Sequence, residues 1–131
     1  ININVVQEPA DGYWSNVWLK KPWCACYWSG RATEDWMFST AYELGVPWND
    51  TSWDNARFQE LLLSARAELD SDKRREQYTE MQALMSAEGG TVIPMYANYV
   101  DAASSKLTNS GTIGNVFQMD SSRLMERWWF A

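Results

Sequence analysis

Two successive amphipathic stripes constrain this chain more than any other feature. Behind Asp54, the residues Phe58, Leu61, Leu62, Ala65 and Leu69 recur at the three- and four-residue steps that line one face of a helix. Ser71-Asp72 opens a second helix, which carries Tyr78, Met81, Leu84 and Met85 on its inner face and stops at Gly89-Gly90. The very short connection between them predicts an antiparallel helical hairpin.

The segments around this hairpin read as strands, short helices and loops. Ile1, Ile3 and Val5 alternate with Asn2 and Asn4, the pattern of a half-buried strand, and Pro9-Ala10-Asp11-Gly12 ends it. Asp11 is a cap for a short helix bearing Tyr13, Trp14, Val17 and Trp18 at helical spacing, with Lys20-Lys21 at its C-terminal end and Pro22 as its stop. Trp23 to Trp28 is an aromatic run of strand length, turned by Ser29-Gly30-Arg31-Ala32. Thr33 then caps a helix expected to reach Leu44, with Glu34 and Asp35 in its first turn and Gly45 and Pro47 beyond its end. Residues 48 to 52 read as loop. Thr91 to Val100 is β-rich, although Pro94 confines it to an edge, a bulge or the start of pairing. Residues 104 to 114 read as a surface loop, Asn115 to Met119 as a last strand, and Arg123 to Phe130 as a short amphipathic tail. Strands alternating with helices predict an α/β layer structure, and 131 residues suit a single domain.

Charge and chemistry narrow the function. With 11 basic and 17 acidic side chains the net charge is −6, which argues against nucleic acid and against docking on anionic membranes. No apolar run reaches the ~18 residues of a membrane-spanning helix. No signal peptide is visible, and an opening in a strand-like pattern without Met reads as an excised fragment of a longer polypeptide. The absence of His removes Ser-His-Asp and Cys-His mechanisms and the commonest general acid–base. Cys24 and Cys26 are too close on one strand face for a disulfide and read as a free pair, and Cys-x-Cys alone is a weak metal signal. Neither a P-loop nor Gly-x-Gly-x-x-Gly occurs. The expectation is a binding protein with no catalytic residues, no metal and no cofactor. First-turn capping accounts for Glu34-Asp35, and Lys73-Arg74-Arg75 reads as a solvated, salt-bridged face.

Nine Trp residues stand where about two are expected for this length. More than half should lie in the core, leaving the remainder for a recognition surface. The segment from Trp23 to Trp36 is the expected ligand contact, with Cys26, Tyr27, Trp28, Arg31 and Trp36 as its binding residues. A strand that ends in a Gly turn and leads into a helix N-terminus is where α/β proteins place ligands, and free amides there favour an anionic group. Arg31 reads in two ways, as a bidentate clamp for a carboxylate or as a turn residue paired with Glu34 or Asp35. Alternation puts Trp23 and Tyr27 on one face, expected to be inward, and Cys24, Cys26 and Trp28 on the other.

The order of these features resembles the C-terminal part of the extracytoplasmic solute-binding proteins of peptide- and nickel-type ABC transporters (solute-binding protein family 5). The marks are Pro9-Ala10-Asp11-Gly12-Tyr13-Trp14 after the opening strand, then Trp23 to Trp28 with Gly30-Arg31, Asp35 and Trp36. Trp53, Phe58, Leu61 and Leu62 follow, then Arg74, Tyr78, Met81 and Gln82, and last Val92-Ile93-Pro94-Met95-Tyr96. The resemblance spans nearly the whole chain. It implies part of the C-terminal lobe of a type II periplasmic-binding-protein fold, a mixed sheet with packed helices. It further implies capture of a peptide-like or anionic small solute in the periplasm and delivery to membrane permease subunits. Peptide-binding relatives carry an Asp in the strand after the Trp, pairing with the ligand's α-amino group; here Cys26 stands in that place. Two other readings are a standalone Trp-rich interaction module and a fragment of an enzyme whose catalytic groups lie elsewhere. A lone lobe fragment should also self-associate.

Overall fold

The computed structural model describes residues 1–131. Its elements are α1 (Tyr13–Asn16), α2 (Glu34–Ala41), α3 (Ala56–Ala67), α4 (Ser71–Glu88), β1 (Leu107–Asn109), α5 (Gln118–Ser122), α6 (Leu124–Arg127) and β2 (Trp128–Phe130).

The helical hairpin forms as its stripes dictate. The Asn55 side chain accepts from the Phe58 amide to start α3, one residue later than Asp54 predicts. Asp70 accepts from the Asp72 and Lys73 amides to start α4, and the Gly89 N–H closes it on the Met85 carbonyl. Each such cap contributes about 1 kcal/mol by satisfying an amide that the helix leaves open. Phe58, Leu61, Leu62 and Ala65 from α3 meet Met81 from α4, and Phe38, Ala41 and Tyr42 complete the buried cluster. Leu69 does not join the stripe: it lies in the link between the helices, 93% exposed.

Helix α2 packs across this hairpin. Thr33 accepts from the Trp36 amide as its cap. The helix ends at Ala41, short of the expected Leu44. Its first-turn carboxylate, Asp35, does more than cap. One oxygen accepts from Arg66 Nε of α3 at 2.8 Å and from the Tyr78 hydroxyl of α4 at 3.0 Å, so a single side chain ties three helices together. Burial, then the Asp35 hydrogen bond and charge, push the Tyr78 hydroxyl up to about 12.

The strand expectations fare differently. The sheet consists of β1 and β2 alone, antiparallel, with Leu107 opposite Phe130 and Asn109 opposite Trp128. These strands fall in segments expected to be loop and tail. Residues 1–5, 23–28 and 91–100 form no strand, and 1–9, 22–32 and 91–103 exchange no backbone–backbone hydrogen bond. Alternation fixes which way side chains point, but a strand exists only when a neighbour takes up its N–H and C=O groups.

Residues 115–119 are not a strand either. Asp120, 3% exposed, accepts from the Gly114 amide, from Arg127 Nη1 at 2.6 Å and from Trp128 Nε1 at 3.0 Å. To aim that carboxylate inward, Met119, Asp120, Ser121 and Ser122 adopt φ between 55° and 64°, so α5 is wound left-handed. At the other end, α1 is a single turn behind a left-handed Gly12 (φ 75°) that takes the capping position in place of Asp11. No helix is long and apolar enough to cross a membrane.

Candidate functional site

None of the nine Trp residues enters the buried core. The expectation that more than half would do so fails because the core is built from smaller side chains: its aromatic members are Phe38, Tyr42 and Phe58. Four of them, Trp14, Trp18, Trp28 and Trp48, instead associate with one another beside it.

Trp14 and Trp18 sit four residues apart, spanning α1 and the turn after it, and their rings meet edge to face at 5.6 Å. Trp14 also meets Tyr27 at 5.3 Å, while the Tyr13 hydroxyl donates to the Ala25 carbonyl at 2.6 Å and holds the 23–31 segment alongside. Trp18, Trp28 and Trp48 close a triangle, with centroids 6.3, 6.5 and 6.0 Å apart and interplanar angles of 64° to 69°. Such tilted contacts set the positive edge of one ring against the negative face of the next.

Asp50 lies against this triangle. Its Oδ2 accepts from Trp18 Nε1 at 2.8 Å and from Cys26 Sγ at 3.7 Å, while its Oδ1 makes no hydrogen bond to the protein. The loop that delivers it is pinned. Asn49 Nδ2 donates to the Trp53 and Glu43 carbonyls, the Thr51 hydroxyl donates to Asn49 Oδ1, and the Trp53 amide donates to Thr51 Oγ1. Burial, then the negative charge of Asp50, push the Cys26 thiol up to about 11. Both cysteines are free.

The five expected ligand residues therefore divide. Cys26, Tyr27 and Trp28 belong to the aromatic site. Arg31 and Trp36 form a separate pair, the guanidinium 5.4 Å from the indole centroid. Arg31 spends Nη1 on the Ser29 carbonyl and hydroxyl and on the Gly30 carbonyl, so it pairs with neither Glu34 nor Asp35, and its buried Nε has no partner. The face assignment does not hold, and Cys26 is exposed. Trp23 and Tyr27 are 76% and 78% exposed, while Cys24 and Trp28 are half-buried. A cleft of about 330 Å³ opens between the starts of α2 and α4, lined by Asp35, Arg74, Arg75 and Tyr78 among others, and it includes none of the five.

Trp18, Trp48 and Asp50 were missed as site residues. The available signal is Trp48-Asn49-Asp50 in a loop behind Gly45 and Pro47, since loops held on a rigid scaffold carry much of binding chemistry. No group of three or more Cys, Asp or Glu is placed to hold a metal ion. No protein-family model, curated protein or solved structure matches the chain.

Proposed function

We propose that this chain is the later part of the C-terminal lobe of an extracytoplasmic solute-binding protein, with an α/β, type II periplasmic-binding-protein architecture. In this reading the whole protein captures a peptide or other small solute in the periplasm and passes it to the permease subunits of an ABC transporter, without chemistry on the solute. The supporting observation is the state of the segments expected to be strands. Around a well-packed hairpin, Ile1, Ile3, Val5, Val92, Met95 and Tyr96 stand exposed on backbone with no sheet partner. Such segments call for neighbouring strands, which the rest of a lobe would supply.

The test is native mass spectrometry of the full-length protein from its source. A retained small solute supports the reading; a protein that emerges empty and fails to bind any solute pool counts against it. Arg31 supplies a narrower check, because loss of its guanidinium by Arg31→Ala should weaken an acidic solute. The same unpaired segments lead us to expect self-association of the chain alone. Sedimentation velocity that gives a monomer at every concentration, together with tight solute binding, would contradict the lobe assignment.

The contact of Trp14, Tyr27 and Trp48 with solvent also favours a second reading, a Trp-rich module that packs on a protein partner. Such a module would fold and work as a free-standing gene product, which the length of the source polypeptide decides.

A further inference from the structure

Half-buried carboxylates usually sit beside a cation or spend both oxygens on donors. Asp50 does neither. None of the eight ion pairs of the chain includes it, and only Oδ2 is engaged by the protein. Its surroundings repeat the same preference. The triangle of Trp18, Trp28 and Trp48 supplies indole faces, which carry the negative end of the ring quadrupole and attract cations. Trp18 cannot offset the carboxylate charge, because its N–H is a neutral donor. No Lys or Arg reaches in to complete the set.

The position also has the right access. Trp48 is 48% exposed, Asp50 and Trp28 are half-buried, and the Asn49–Thr51–Trp53 hydrogen bonds hold the loop in place. An incoming group would meet an ordered rim rather than one it had to assemble, which lowers the ordering cost of binding.

We propose that Asp50, Trp28 and Trp48 form a binding site for an organic ammonium group, with Asp50 Oδ1 taking the charge and the indoles covering the alkyl or N-methyl surface. Trp18 is a positioning residue: its N–H occupies Oδ2 and leaves Oδ1 without a protein donor. The proposal rests on the solute-binding reading and narrows its ligand, placing a cationic end at Asp50 whatever the remainder of the solute carries.

The test is a titration of the chain with choline, with n-butylammonium, and with 3,3-dimethylbutan-1-ol, the neutral isostere of choline. Binding is followed by the indole N–H resonances. At least one ammonium should shift the Trp18 signal saturably, and the neutral alcohol should not. Asp50→Asn keeps an acceptor for Trp18 but removes the charge, and should weaken binding roughly tenfold or more, as expected for loss of a charge-assisted contact. Trp48→Ala, at the exposed rim, should weaken it with the carboxylate intact, so the proposal remains testable if the Asp50 variant folds poorly. No saturable shift with either ammonium, equal binding of the alcohol, or indifference to both substitutions would overturn it. A solute retained by the full-length protein with an affinity unchanged by Asp50→Asn would sink this site and leave the solute-binding reading standing. Asp50-dependent ammonium binding by a protein that never retains a solute would do the reverse.

Discussion

The helical core and the tryptophan cluster are both aromatic assemblies, yet they obey different rules. In the core, Phe38, Tyr42 and Phe58 sit with Leu61, Leu62, Ala65 and Met81, and Phe38 meets Phe58 edge to face at 5.2 Å. Those rings are enclosed by aliphatic side chains on three helices. In the cluster the rings are larger, and they meet one another at half-buried or exposed positions, with Trp28 also packed against the core. An indole has a donor to satisfy and an area too great for a core this small, so it settles at an edge where Asp50 takes the Trp18 N–H. The core is specified by helix periodicity. The cluster is specified by three loops and turns meeting.

That contrast sets the order of expected effects. Phe58→Ala should be the most damaging change, costing about 3–5 kcal/mol as a large cavity opens among helices with no spare contacts, read as a lower urea midpoint in the helical circular dichroism signal. Trp28→Ala removes two ring pairs from a half-wet site and should cost about 1–2 kcal/mol, with the helical signal intact at low urea. An equal loss from both substitutions would abolish the distinction drawn between the two regions. A smaller effect separates them by chemistry. Cys26 should alkylate slowly at pH 9, where an ordinary thiol is largely ionised, and its rate should keep rising towards pH 11. Asp50→Asn should move that profile to lower pH. The smallest effect is expected at the hairpin surface, where Arg57 grips Glu80 and Glu60 at exposed positions. Arg57→Gln should leave the urea midpoint unmoved within error, since exposed ion pairs add little.

Legibility in the sequence follows the range of the interactions. The hairpin, the Thr33 cap and the stop at Gly89 are local, decided by residues three or four apart, and they appear where periodicity and capping place them. The α3 cap falls on Asn55 and not on Asp54; both are good capping residues, and periodicity does not separate neighbours. Strand pairing is not local. The alternation in residues 1–5 looks the same whether or not a neighbour exists, and β1 and β2, which read as loop and tail, pair across an intervening stretch that contains the expected strand 115–119. The candidate site was half legible. Trp28 and Cys26 stand out by composition, but Asp50 and Trp48 reach them across twenty or more residues, a distance that no periodic pattern encodes.

The left-handed winding of α5 carries a consequence for how the chain opens. Four consecutive non-glycine residues run against the hand that L-residues prefer, at roughly 1–2 kcal/mol each. The bonds converging on Asp120 work like a latch on a wound spring. The Gly114 amide holds the Asp120 carboxyl below the usual range against the opposing effect of burial, helped by Trp128 and Arg127. A carboxyl whose folded value is depressed stabilises the fold above its ordinary value near pH 4 and loses that contribution as pH falls towards the folded one. Acid should therefore release the β1–β2 end before the helical hairpin melts, visible as early amide exchange confined to residues 107–130. Ser122→Gly should loosen the spring without touching the latch, and delay that release.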